Sequence, residues 1–172
     1  MARLRYVEKE TATPEQEKIL AELTQRSGKI ANIWKLWSHS PQTLETFMMF
    51  YKSLMKGKLD GRLRELAYMK TSLVNECPYC FKAHEFSGRR LGITEQQIQE
   101  LGTYATSTLF SPVEKLVLQY AEEVTRTARS SEETVNELKK HLSETDIVEL
   151  TATIGVANLT NRFNMSLLTD LD

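Results

Sequence analysis

Residues 59–92 read LDGRLRELAYMKTSLVNECPYCFKAHEFSGRRLG, and the interpretation of this stretch decides the fold. Asp60-Gly61 opens a helix predicted to reach about Asn75, and Cys77-Pro78 opens a second that ends near Leu91-Gly92. Proline costs nothing in the first turn of a helix, where its missing N–H has no partner anyway. Glycine just past the last turn accepts backbone angles that other residues avoid.

The same punctuation continues outward in both directions. Thr13-Pro14-Glu15-Gln16 supplies a cap, a first-turn proline and a capping-box glutamine for a helix running to Gly28. Ile30, Ile33, Trp34 and Trp37 recur at helical spacing in a short second helix. Ser40-Pro41 starts a third, carrying Leu44, Phe47, Met48, Tyr51, Leu54 and Met55 before Gly57. Downstream, Thr94-Glu95-Gln96-Gln97 caps a short helix, and Ser111-Pro112-Val113-Glu114 caps a longer one reaching about Arg129. Ser130-Ser131 and Ser143-Glu144-Thr145-Asp146 open the last two. No β-branched run alternates with period two, and no Asn-Gly or Asp-Gly turn joins such runs. The expected fold is all-α with about seven to nine helices, in one domain over residues 1–172.

The composition narrows the function classes. The chain has 172 residues, 41% hydrophobic and 26% charged, with a formal net charge of -1. Near-neutral charge gives no electrostatic reason to expect nucleic acid. The longest apolar runs fall far short of the roughly 20 residues that cross a bilayer. No apolar segment follows Met1-Ala2-Arg3-Leu4-Arg5-Tyr6, so a secretory signal is not expected and the cytoplasm is the expected location. The two cysteines lie three positions apart, a spacing that points to redox or metal chemistry rather than to a secreted disulfide scaffold. Two readings fit the aromatic and methionine stripe at residues 47–55: core packing, or a face shared with a second subunit. Trp34 and Trp37 read as packing residues.

Pro78 places Cys77 at or beside the N-cap of its helix, where unpaired N–H groups and the helix dipole favour a thiolate. At roughly 100° per residue, Cys77 and His84 are only about 20° apart around the axis. Cys80 and His84 form an i,i+4 pair on the same face. One helical turn can thus hold two thiols close enough to oxidise, beside an imidazole able to take and return a proton. On the preceding helix, Glu65 shares a line with Met69 and Leu73 that is apolar enough to turn it inward. Buried beside His84, it would orient the imidazole. The competing reading is a half-exposed carboxylate bonded to Arg62 or Arg64. Metal is a further alternative: Cys77, Cys80, His84 and Glu65 make a four-ligand set, although no second cysteine pair accompanies them. Inert thiols also fit the spacing. His39 and His141 stand apart as cap or surface histidines.

Glu65, followed twelve residues later by Cys77-Pro78-Tyr79-Cys80-Phe81-Lys82-Ala83-His84, resembles the Glu…Cys-x-x-Cys-x-x-x-His signature of the AhpD-like alkylhydroperoxidase and carboxymuconolactone decarboxylase superfamily. Asn75-Glu76 before the motif, Gly92-Ile93-Thr94 after it, Gly28-Lys29-Ile30-Ala31-Asn32-Ile33 and His39-Ser40-Pro41 are similar to its peroxidase-related branch. The likeness covers nearly the whole chain and is sharpest at residues 59–92. It implies an all-helical fold, no cofactor, and a homo-oligomer (dimer, trimer or hexamer). It also implies a hydroperoxide substrate and recycling by an external dithiol, thioredoxin-like or lipoyl reductant. By resemblance Cys80 is the attacking thiol, Cys77 the resolving one, and His84 with Glu65 the proton relay. The helix dipole instead favours Cys77. A dedicated base beside Cys80 is expected to outweigh a dipole effect of about 1 kcal/mol.

Tyr79 departs from the best-studied members, which carry a histidine there. A phenol with an ordinary pKa of about 10 is a poor proton shuttle at neutral pH. Weak peroxidase activity or general disulfide exchange is the alternative function. A non-redox oligomeric binding module is another. The decarboxylase branch typically lacks the cysteine pair, so lactone decarboxylation is not expected.

Overall fold

The computed structural model describes the backbone of residues 1–172 and every side chain but those of Arg26 and Ser27. Nine α-helices and no strand occur among the described residues, matching the all-α expectation. They are α1 (Pro14–Ser27), α2 (Asn32–Trp37), α3 (Pro41–Met55), α4 (Gly61–Val74), α5 (Pro78–Arg90), α6 (Glu95–Gln99), α7 (Pro112–Thr127), α8 (Glu132–Leu138) and α9 (Glu144–Leu167). Two 3-10 turns, Lys9–Thr11 and Glu100–Gly102, had no counterpart in the sequence reading.

The helix starts follow their capping residues. Thr13 with Gln16, Thr94 with Gln97 and Ser111 with Glu114 form reciprocal capping boxes. Asp60 accepts the N–H groups of Arg62 and Leu63. Each such cap contributes about 1 kcal/mol by satisfying amides the helix itself cannot pair.

The chain divides into two compact units, residues 1–53 with 163–172 and residues 54–162. In the first, Ile19, Leu23 and Leu44 form a small core with Ile30, Trp34, Trp37 and Met48 packed against it. The Trp37 ring lies 4.5 Å from that of Phe47 and 4.7 Å from that of Phe163, so both tryptophans serve packing. The 47–55 stripe is only in part core packing. Phe47 and Leu54 are buried, whereas Met49 (62% exposed) and Phe50 (49%) face solvent.

In the second unit α4 is the central helix, packed against α5 and α7. Leu66, Ala67 and Met69 of α4 are wholly buried with Val117, Leu118 and Ala121 of α7 and Leu150 and Ile154 of α9. Every residue of α4 from Leu63 to Ser72 is buried, five polar ones included. Buried polar groups need partners, and four of the five find them within structural contacts. Arg64 donates to the Leu59 carbonyl, Lys70 meets Glu122 at 2.8 Å, Thr71 accepts from Thr125 and Ser72 from Asn161. The fifth is Glu65.

Candidate active site

The turn between α4 and α5 sets the site. Asn75 caps α4, and Glu76 follows with φ 54, in the left-handed region. The Glu76 N–H then donates to the Leu73 carbonyl and the Cys77 N–H to that of Ser72. This is a Schellman closure, a position where glycine is the usual residue and a side chain costs about 1 kcal/mol. The Asn75 side-chain amide donates to both Asn158 and Asn161 of α9, and Asn161 in turn donates to Ser72. These bonds tie the turn to α9.

The closure delivers Cys77 as the N-cap of α5, with Pro78 in the first helical position. Gly88 allows α5 to lie close against α4. A Cβ at Gly88 would stand only 3.1 Å from Ile93 Cδ1 and 3.2 Å from Met69 Cε.

Cys77 and Cys80 are both free thiols, 1% and 3% exposed. The Cys77 thiol donates to Cys80 Sγ at 3.0 Å. That hydrogen bond, reinforced by burial, pushes the Cys77 pKa far above the ordinary thiol range. The Cys80 and Tyr79 amides oppose this without reversing it. The two sulfurs are close enough to share one proton and to oxidise to a disulfide. The helix-dipole argument for Cys77 and the neighbouring-base argument for Cys80 are both compatible with this geometry.

One turn further along α5, the His84 Nδ1–H donates to Glu65 Oε2 at 2.7 Å. An ionised carboxylate only accepts, so in a neutral imidazole this bond puts the ring proton on Nδ1 and leaves the lone pair on Nε2. The two side chains are 12% and 6% exposed. The surface reading of Glu65 fails for a specific reason: both arginines are engaged elsewhere. Arg62 binds Glu114 at 2.7 Å and also Gln97, while Arg64 binds the Leu59 carbonyl.

Cys77, Cys80, His84 and Glu65 are thus gathered at one helix junction, and Tyr79 is buried beside them in sequence. His39 and His141 lie on the surface, and the His39 Nε2–H donates to the Arg5 carbonyl. Among the described residues no group of three His, Cys, Asp or Glu side chains is placed to hold a metal ion.

The sequence reading missed two features. The Tyr68 ring stacks on the His84 imidazole, with centroids 3.4 Å apart and planes 12° from parallel. Its position three residues beyond Glu65 was the available signal. The Asn75–Asn158–Asn161 group was missed because it joins residues more than eighty positions apart.

The family model "Carboxymuconolactone decarboxylase family" matches residues 41–123. The uncharacterized protein YdfG of Bacillus subtilis (strain 168) is 27% identical over 130 residues, covering 74% of this chain and 88% of that one. An uncharacterized peroxidase-related protein from Ralstonia eutropha JMP134, described as an alkylhydroperoxidase AhpD core, superposes with a TM-score of 0.86 at 20% identity. That match covers 99% of this chain and 92% of the other. The debrominase Bmp8 superposes with a TM-score of 0.81 at 20% identity, covering 97% and 90%. The chain has the helical fold of these AhpD-like structures, and its residues 41–123 are similar to the carboxymuconolactone decarboxylase family. Among the described residues no helix is long and apolar enough to cross a membrane.

Proposed function

We propose that this AhpD-fold chain belongs to the peroxidase-related branch of its superfamily and acts as a thiol-dependent hydroperoxide reductase. The observation that carries this reading is the 3.0 Å thiol pair one helical turn from a buried histidine–carboxylate pair. His84 Nε2 takes the Cys80 proton. The thiolate attacks the terminal oxygen of ROOH, the O–O bond breaks, and the imidazolium returns its proton to the departing alkoxide. Cys80 is left as a sulfenic acid and ROH is released. Cys77 then attacks the Cys80 sulfur, giving the Cys77–Cys80 disulfide and water. An external dithiol, of thioredoxin or lipoyl type, reduces the disulfide by exchange and is itself oxidised.

Residues 1–172 form a single functional domain in this reading. The reductant places it in a reducing compartment such as the cytoplasm, and the expected assembly is a homo-oligomer. Exposed Met49 and Phe50 on α3 support a covered face. General disulfide exchange without efficient peroxidase activity is the second reading, favoured by a phenol at Tyr79, a poor proton shuttle at neutral pH.

The test supplies reduced protein with cumene hydroperoxide and excess dithiothreitol and follows peroxide consumption. Turnover is expected in the wild type and absent in Cys80→Ser; with dithiothreitol removed before peroxide is added, Cys77→Ser is expected to stop after one turnover as the sulfenic acid. Undiminished turnover in Cys80→Ser contradicts the assignment. Disulfide exchange with no peroxide consumption selects the second reading.

A further inference from the structure

We propose that Tyr68 is a positioning residue for His84, an aromatic platform that fixes the plane of the imidazole and suits its protonated form. The proposal rests on the thiol-redox reading of the site. A single hydrogen bond from Nδ1 to Glu65 leaves the ring free to turn about that bond, so it does not by itself aim Nε2. The stack on Tyr68 removes this freedom, with 3.4 Å between centroids and 12° between planes.

The platform is itself held. Tyr68 is 4% exposed, and its hydroxyl hydrogen-bonds to Thr160 of α9. The Thr160 hydroxyl is already directed at the carbonyls of Val156 and Ala157, so the phenol is the donor. A ring fixed at both its face and its tip is a guide surface rather than mobile filling.

The geometry also selects a charge state. Two neutral aromatic rings avoid a face-on sandwich and prefer offset or edge-on contact. A cation over an aromatic face is attracted to it. A face-on imidazole therefore gains most from Tyr68 when it carries the proton taken from Cys80. Glu65 and Tyr68 of α4 both meet this ring, and Cys80 lies one turn back along α5. When the proton moves from Cys80 Sγ to Nε2, the new imidazolium lies against the Glu65 carboxylate and the Tyr68 face. The same proton later leaves with the alkoxide.

The test uses the reduced full-length protein and its Tyr68→Phe and Tyr68→Leu variants. Cys80 alkylation by iodoacetamide is timed by mass spectrometry, and the imidazole protons of His84 are followed by NMR. In the wild type the carbon-bound protons of His84 are expected upfield, shielded by the phenol ring, with a downfield Nδ1–H signal. Tyr68→Leu is expected to lose the upfield shift and to slow alkylation about tenfold, the effect of one aromatic contact on a charged ring. Tyr68→Phe is expected to keep both within about twofold, because the ring face is retained. A wild-type alkylation rate in folded Tyr68→Leu, or a Tyr68→Phe rate as low as that of Tyr68→Leu, overturns the proposal. Unshifted His84 protons in the wild type overturn it whether or not the variants fold. Alkylation needs no peroxide, so inertness of the wild type toward hydroperoxide alone removes the peroxidase reading and leaves the Tyr68 result standing.

Discussion

Helix α4 buries three charged side chains, and the surroundings of two of them, Glu65 and Lys70, give them different work. Glu65 meets His84 of α5 at 2.7 Å, and Lys70 meets Glu122 of α7 at 2.8 Å. Around the helix axis they are separated by roughly 140°. Lys70 is also covered by the Tyr104 ring, 4.6 Å away. Its partner holds a lowered pKa: burial raises it, but the hydrogen bonds from Lys70 and Arg126 prevail. That pair keeps its charges fixed and closes the core. The Glu65 pair instead involves an imidazole, a single helical turn from a thiol. The same motif, a buried hydrogen-bonded charge, is thus structural on one side of α4 and, in the proposed mechanism, the proton carrier on the other.

Replacing the base should separate the two sides most. His84→Gln keeps a polar side chain of similar reach but cannot accept a proton. Cys80 oxidation is expected to slow about 10²–10⁴-fold, the usual contribution of a positioned base, while the melting temperature changes little. Stopped-flow oxidation and calorimetry on one preparation check both halves.

The opposite pattern is expected at Lys70. Lys70→Met leaves the partly buried Glu122 with only the exposed Arg126 as its cation and should cost about 1–3 kcal/mol in denaturant unfolding. Cys80 alkylation in the protein that remains folded should be unchanged. Adding Glu122→Leu should restore most of the loss, because the poorly compensated charge is then gone.

The two sides should also respond to opposite ends of the pH scale. Glu122 is depressed in the folded state, so its stabilisation is present above the unfolded value and is lost as pH falls below about 4.5. Cys77 is raised, so its stabilisation is complete below the unfolded thiol value and is lost as pH climbs above about 8.5. Melting curves across pH should therefore show an alkaline decline in the reduced protein that Cys77→Ser diminishes. The acid decline should be diminished in the Lys70→Met/Glu122→Leu protein.

The smallest effect expected is at the turn that precedes the thiols. Glu76→Gly removes the side chain from a left-handed position and should raise stability by about 0.5–1 kcal/mol in chemical denaturation.

Helix starts were legible because capping is local. Thr13, Thr94 and Ser111 each bond to an amide three residues on, and the sequence displays both ends of that bond. The helix position of Cys77, Cys80 and His84 was legible for the same reason. The partner of Glu65 was not fixed by sequence alone, because Arg62 and Arg64 stood nearer. Only packing shows that Arg62 is drawn to Glu114 and Arg64 to the Leu59 carbonyl. Tyr68 resembled any core aromatic until the two helices were brought together. Glu76 gave no signal, since glutamate has no preference for the backbone angles it adopts. The sequence shows which residues can do chemistry; the contact across α4 and α5 shows which of them meet.

The central claim is that Cys80, with His84 at its side, is the sulfur that hydroperoxide oxidises. Its most direct test is rapid mixing of reduced protein with cumene hydroperoxide, quenching with a sulfenic-acid trap, and peptide mass mapping. The account predicts trapped oxygen on Cys80 at early times, giving way to the Cys77–Cys80 disulfide, with Cys80 oxidation slowed in His84→Gln. Early label on Cys77, or label on Cys80 at a rate indifferent to His84→Gln, would contradict it.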